Sequence, residues 1–265
     1  MRETIGFIGL GALGLPIAHN LLEREYPLRV FNRTESKAAP LVARGAQLMT
    51  GPAAVATPGG VVVSVLWDDA SVEGLVASPG FLEALGPGGV HVSMSTISPD
   101  AAKRVAALHA RAGSAYVEAP VFGRPEAAAA RKLWMPLAGP QAAKERVKPI
   151  LEALGAQGIY DFGEAPGAAL VVKLAGNFLI GSAARSMVEA LAMAEGNGVD
   201  PRAVVAMLTT TLFTAPIYQS YGKQIAEKTV SVLGSEIVKK DLGIFLRTAA
   251  SVGSQTPIAA TLSGL

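Results

Sequence analysis

Residues 4–25 read TIGFIGLGALGLPIAHNLLERE, and how this stretch folds decides the reading of the whole chain. Thr4 to Ile8 has the short apolar pattern of a buried strand, and Leu15 to Glu25 has helical spacing. Between them Gly9, Gly11 and Gly14 form a GxGxxG turn. Gly9 permits the tight turn, Gly11 lets a pyrophosphate approach the backbone, and Gly14 allows the helix to pack closely on the strand. The phosphates then lie at the helix N-terminus, so Gly9, Gly11, Ala12, Leu13 and Gly14 make a candidate dinucleotide cradle. A bare GxGxxG is weak evidence. Here the strand, the helix and a second strand, LRVF at 28–31, arrive in the required order.

At the end of that second strand a site for NAD normally offers a carboxylate to the ribose hydroxyls. This chain has Asn32, Arg33 and Thr34 instead. Arg33 can present a fork of donors to a 2'-phosphate, and Asn32 and Thr34 can add hydrogen bonds, so the residues favour NADP (NADPH) over NAD. The bland alternative is a solvated turn with a chance arginine, and Lys37 one turn on leans against it.

Strand and helix patterns continue to alternate. Helices are expected near 34–44, 70–77 and 99–111, and strands at 61–66, 90–94 and 115–118. Such alternation means a Rossmann-type, doubly wound parallel sheet with helices on both faces. A strand at 133–139 (LWMPLAG), a helix at 141–153 and a strand at 159–162 (IYDF) are expected to extend the same sheet. Ligands of open sheets bind at the carboxyl ends of the strands. Three loops there draw interest, following Leu66, Met94 and Ala119. Ser98 before Pro99 and Asp100 has the form of a helix cap. Ser95 and Thr96 precede the cap and are expected to be free for a substrate or the nicotinamide ribose. Gly123 offers an exposed backbone N–H, and Arg124 beside it either pairs an anion or is solvated.

Residues 167–198 form the longest proline-free apolar run, set between Pro166 and Pro201, and predict one helix of about 45 Å at 1.5 Å per residue. Lys173 and Asn177 are four apart and share a face. A lysine among apolar residues either snorkels its head to water or is paired or used. The stretch approaches membrane-spanning length, but Lys173 and Asn177 would sit well inside it, and a buried helix of a soluble protein is the better reading. Beyond it only helical patterns occur, with Pro201 and Pro216 opening two of them. The expected organisation is therefore a dinucleotide-binding domain over 1–164 and an all-helical domain over 165–265, joined by the long helix.

Composition excludes several classes. Half of the 265 residues are hydrophobic and 17% charged, so the chain buries a large core. A net charge of +2 with no basic tract gives no reason to expect nucleic acid. The absence of cysteine removes thiol catalysis, disulfides and Cys-ligated metal, and is compatible with the cytoplasm. No secretory signal is read at the N-terminus. His19, His91 and His109 are scattered in sequence and suggest no metal site.

Taken in order, FIGLGALGLPIAHNLL, STISPDAA, APVFG, GAALVVKLAGN and KKDLG resemble the β-hydroxyacid dehydrogenases over nearly the whole chain. That family includes 3-hydroxyisobutyrate dehydrogenase and the glyoxylate and succinic semialdehyde reductases. The resemblance implies that Lys173 is the catalytic acid or base and that Asn177 orients the substrate. It further implies that Ser95 and Gly123 hold a substrate carboxylate, that Lys240 helps close the site, and that the protein forms a homodimer or higher oligomer. Leu66 and Thr96 join the expected cofactor residues. The chemistry implied is reversible hydride transfer between NADP(H) and a small β-hydroxyacid or its aldehyde acid. Phe122 and Arg124 depart from the family's serine and glycine, Ala169 and Gly176 from its glycine and asparagine, and the segment between Lys228 and Lys239 is short. An apolar pocket at Phe122 keeps imine or bulky-ketone reduction as an alternative, although imine reductases generally lack the lysine. A third alternative is a non-catalytic NADPH-binding scaffold.

Overall fold

The structure of the protein, a computed structural model, describes residues 2–229 and 236–264, so most of the short segment between Lys228 and Lys239 lies outside the described residues. The chain divides into two compact units, Met1–Lys173 and Leu174–Leu265. The strands, all in the first unit, are β1 (Ile5–Ile8), β2 (Leu28–Phe31), β3 (Gln47–Leu48), β4 (Val61–Ser64), β5 (Val90–Ser93), β6 (Ala115–Glu118), β7 (Leu133–Leu137) and β8 (Ala156–Asp161). The helices before residue 165 are α1 (Gly14–Glu23), α2 (Ala39–Val42), α3 (Pro52–Val55), α4 (Asp69–Val76), α5 (Phe81–Leu85), α6 (Pro99–Arg111), α7 (Pro125–Ala129) and α8 (Gln141–Leu154). After it come α9 (Ala168–Gly196), α10 (Pro201–Thr210), α11 (Pro216–Ala226), α12 (Glu236–Ser251) and α13 (Pro257–Ser263).

Six strands make one sheet in the order β3-β2-β1-β4-β5-β6, every neighbouring pair parallel. The order reverses between β1 and β4, which is the switch point at which doubly wound sheets bind ligands. Alternate side chains of each strand feed two cores on opposite faces. Ile5, Phe7, Val61, Val63, Val90 and Val92 face Ile17 and Leu21 of α1 and Val147 and Ile150 of α8. Ile8, Val62 and Tyr116 face Val72, Phe81 and Val105 on the other side. The two central strands, β1 (IGFI) and β4 (VVVS), read as nearly continuous apolar runs because both faces are covered.

Two expectations fail here. The strands at 133–139 and 159–162 do not extend the main sheet: β7 and β8 pair with each other, in parallel, as a separate two-stranded sheet. Ala138, just past β7, forms an antiparallel bridge with Glu118 at the end of β6. Pro136 has no N–H to give to a ladder, which suits β7 to a sheet margin. The helix expected over 34–44 is also split, into a 3-10 turn at Glu35–Ala38 and the short α2, with Pro40 at the start of the latter. By contrast, α6 starts as its sequence demands. The Ser98 hydroxyl accepts from the Ala101 N–H at 3.2 Å, Pro99 fills the first turn, and Arg111 lies in the last turn, where the helix dipole favours positive charge.

The second unit is helical throughout its described residues. In it α10 packs on α11 and α12 on α13, and Phe178 stacks on Phe245 with ring centroids 4.6 Å apart. By length and composition alone α9 could cross a membrane. Lys173, Asn177 and the Arg185–Glu189 ion pair at 2.7 Å interrupt it. It is less buried than the sequence suggested, with Leu179 and Met193 each 64% exposed.

His91 and His109, 18 residues apart, prove not to be scattered. His91 Nδ1 lies 3.0 Å from His109 Nε2, and the pair is extended by Ser64 Oγ at 2.8 Å and Ser114 Oγ at 2.9 Å. Phe81 packs edge-on against both rings. Burial pushes His109 down to about 4, and burial together with the charge of His109 pushes His91 well below its usual value. Both are neutral in the fold and charged in the unfolded chain below their ordinary value near 6.5. They therefore draw stability away as pH falls from about 6.5 toward 4. Glu118, raised to about 7 by burial, acts the other way, losing stability as pH rises from about 4.5 to 7. Two protons outweigh one, and the net slope is roughly 1.4 kcal/mol per pH unit in favour of higher pH. Replacing both histidines with glutamine is expected to flatten the fall of Tm between pH 6.5 and 4.5, whatever it does to Tm itself. Parallel curves for the two proteins would refute this account.

Candidate active site

The glycine loop is built as its spacing requires. Gly9 has φ 97°, and a Cβ there would lie 2.2 Å from the Val65 carbonyl oxygen. A Cβ on Gly14 would lie 2.0 Å from the Gly9 carbonyl oxygen. Around Gly11 nothing comes within 4 Å, so a ligand can reach the backbone. The start of α1 has neither a side-chain cap nor an acid in its first turn, leaving its positive end to an anion. These features fit a dinucleotide pyrophosphate over Gly9, Gly11, Ala12, Leu13 and Gly14.

Asn32 is used by the fold itself. Its Oδ1 accepts the Leu10 N–H at 2.8 Å, tying the glycine loop to the end of β2, and its Nδ2 donates to the Thr34 carbonyl at 2.8 Å. Arg33, Thr34 and Lys37 are exposed beside it. Ser95 is likewise not free as expected: its buried hydroxyl accepts the Leu66 N–H at 2.9 Å, which joins two of the predicted residues and leaves the hydroxyl proton to donate. Thr96, half-buried, follows it. Asp69 of α4 clamps the same loop, accepting the Ser98 N–H at 2.8 Å and the Ser98 hydroxyl at 2.6 Å.

Gly123 lies at φ 144°, where a Cβ would come within 2.5 Å of Leu133 Cδ2. The residue before it carries the less expected contact. Phe122 pairs its backbone with Trp134, and Lys173 Nζ sits 4.3 Å from the centroid of the Phe122 ring. Lys173, only 8% exposed, thus sets its amine over an aromatic face, which attracts the amine's charged form by about 0.5–2 kcal/mol. Phe122 also borders a cavity of about 400 Å³ with Trp134, Tyr160 and Phe162. In the second unit, Asn177 Nδ2 donates to Asp241 Oδ2 at 2.6 Å, and Lys240 Nζ lies 2.8 Å from Asp241 Oδ1. Asp241 is buried and binds two predicted residues together. The sequence reading passed over it, although it follows Lys240 directly in KKDLG. It also passed over Glu118, whose buried carboxylate accepts the Gly167 N–H just before α9. Among the described residues no three His, Asp or Glu side chains gather as a metal site would need.

Two family models cover the chain. One, for the NAD binding domain of 6-phosphogluconate dehydrogenase, matches residues 4–163, and the other, for the NAD-binding region of NADP-dependent 3-hydroxyisobutyrate dehydrogenase, matches residues 167–265. The chain belongs to the β-hydroxyacid dehydrogenase family. Within that family it is 38% identical over 258 residues to the oxidoreductase YfjR of Bacillus subtilis, covering 96% of this chain and 90% of that protein. It is 30% identical over 265 residues to the NAD-dependent L-serine dehydrogenase of Pseudomonas aeruginosa, covering 97% and 88%. Among solved structures it is similar to the 3-hydroxyisobutyrate dehydrogenase of Mycobacterium tuberculosis with L-serine, at 26% identity and a TM-score of 0.88 over 100% of this chain and 92% of that one. As a member of the family the chain is an oxidoreductase of the NAD(P)-dependent hydroxyacid dehydrogenase type.

Proposed function

We propose that this β-hydroxyacid dehydrogenase interconverts a small β-hydroxyacid and its aldehyde acid with NADP(H), using Lys173 as the acid and base. The observation that carries the reading is the Lys173 amine, buried yet set over the Phe122 ring rather than turned to solvent. When bound, the nicotinamide supplies the hydride to the carbonyl carbon or takes it back. In reduction the Lys173 ammonium stabilises the developing oxyanion and gives it a proton. In oxidation the neutral amine accepts the hydroxyl proton. Ser95, through its remaining proton, and the Gly123 N–H are proposed to hold the substrate carboxylate. Asn177, fixed by Asp241, is proposed to orient the substrate, with Lys240 closing the site.

Cofactor choice rests on Arg33. One relative is named NAD-dependent, but residues 31–33 of this chain offer no acid: Asn32, whose amide is committed to Leu10 and Thr34, ends the turn from β2, and the exposed Arg33 follows. Arg33 and Thr34 can then meet a 2'-phosphate. A second reading, reduction of a bulky ketone or imine, is favoured by the aromatic cavity at Phe122, Trp134, Tyr160 and Phe162.

One assay tests both points: consumption of NADPH and NADH by wild type and Arg33→Asp, with glyoxylate, succinic semialdehyde, methylmalonate semialdehyde and a cyclic imine. Turnover of an aldehyde acid is expected, with NADPH preferred. Arg33→Asp should raise the KM for NADPH about 10- to 100-fold, the worth of a charge-assisted hydrogen bond, and that for NADH only mildly. Turnover of the imine alone would transfer the assignment to the second reading, and equal effects on both cofactors would remove the 2'-phosphate contact.

A further inference from the structure

Glu118 lies at the end of β6, immediately before the APVFG loop, and its side chain is 2% exposed. Its backbone is fixed by a reciprocal pair of hydrogen bonds to Ala138, at 2.8 and 3.0 Å. Its Oε1 accepts the Gly167 N–H at 2.5 Å, and the N–H groups of Ala169 and Leu170 also act on the carboxylate. Those three amides are the start of α9, a helix with no acid in its own first turn. A side chain from 49 residues upstream therefore takes the part of the missing N-terminal acid.

The start of α9 is confined from the other side too. Gly167 has φ 99°, and a Cβ on it would lie 2.8 Å from Pro99 Cβ. Ala169 and Leu170 are almost wholly buried, at 0% and 1% exposure. Lys173 follows Gly167 by six residues, about 9 Å along a rigid helix, so a shift of the first turn is passed to the amine. Stability alone gives little reason for an acid here. The carboxylate is buried deeply enough to lift it to about 7, and its Oε2 has no hydrogen-bond partner among the described residues.

We propose that Glu118 is the positioning residue for Lys173: its carboxylate anchors the first turn of α9 and thereby holds the Lys173 amine over the Phe122 ring. The inference rests on the reading of Lys173 as the acid and base, and its test separates the two. Glu118→Leu keeps the volume and removes the acceptor, whereas Glu118→Gln keeps an acceptor for the Gly167 N–H. Two quantities are measured on folded, full-length protein: the rate of reductive methylation of Lys173, read by peptide mass spectrometry, and kcat and KM for the reduction of the aldehyde acid. In Glu118→Leu, methylation of Lys173 is expected to quicken and kcat to fall, each about tenfold or more, with KM for NADPH little changed. Glu118→Gln should restore most of both. If the leucine variant does not fold, Glu118→Asp, which withdraws the carboxylate by one methylene, carries the same expectation on a smaller scale. Unchanged methylation in these variants would overturn the proposal even if kcat fell, because the loss would not run through Lys173. Faster methylation in an enzyme whose Lys173→Ala variant stays active would uphold the positioning and overturn the catalytic role instead.

Discussion

Lys173→Ala is expected to lower kcat by about 10²- to 10⁴-fold, the usual worth of a positioned proton donor or acceptor. The fold should survive. The substitution removes a long side chain that is 8% exposed, including its cation–π contact with Phe122, and leaves a good helix former inside the 29-residue α9. NADPH binding should survive as well, because the cradle at Gly9, Gly11 and Gly14 and the exposed Arg33 are contributed by β1, α1 and the end of β2. The expected signature is thus a loss in kcat with an unchanged dissociation constant for NADPH, seen by single-turnover kinetics and by fluorescence titration of the cofactor. Turnover within tenfold of wild type would sink the assignment of Lys173.

The second and third glycines of the turn should part company in an equally sharp way. Gly14→Ala places a Cβ 2.0 Å from the Gly9 carbonyl oxygen, a contact between two stretches of backbone in which neither is a flexible side-chain end. To relieve it α1 must move off β1, which disturbs Ile17 and Leu21, both fully buried against the sheet. A loss of roughly 3 kcal/mol or more is expected, or failure to fold. Gly11→Ala meets nothing within 4 Å and should leave Tm within a degree or two of wild type. Its methyl would instead stand where the pyrophosphate approaches, and NADPH affinity should fall by about tenfold or more. Thermal unfolding with and without NADPH reads both effects at once: the first variant loses Tm, and the second loses the shift that the cofactor produces. A Gly11→Ala protein that binds NADPH normally would place the pyrophosphate elsewhere.

Much of this molecule was legible in its sequence, and the legible part is local. The strand, glycine turn and helix of residues 4–25 depend on the periodicity of apolar residues and on the left-handed conformation of Gly9, and both act within a few residues. The cap at Ser98 and the helices opened by Pro201 and Pro216 follow from equally short-range rules, and the parallel sense of the main sheet follows from the alternation of strands with helices. What the tertiary structure alone decided involves partners far apart along the chain. β7 and β8 leave the main sheet because pairing depends on which edge is within reach, and an apolar run does not state its neighbour. Asn32 and Ser95 read as free polar groups until the folded loops supply the Leu10 and Leu66 amides that occupy them. Phe122 meets Lys173 from 51 residues away, Glu118 meets Gly167 from 49, and Asn177 meets Asp241 from 64. Such contacts are fixed by where the sheet and helices carry the backbone. Their side chains carry no periodic signal, because each partner contributes a single residue to the pair.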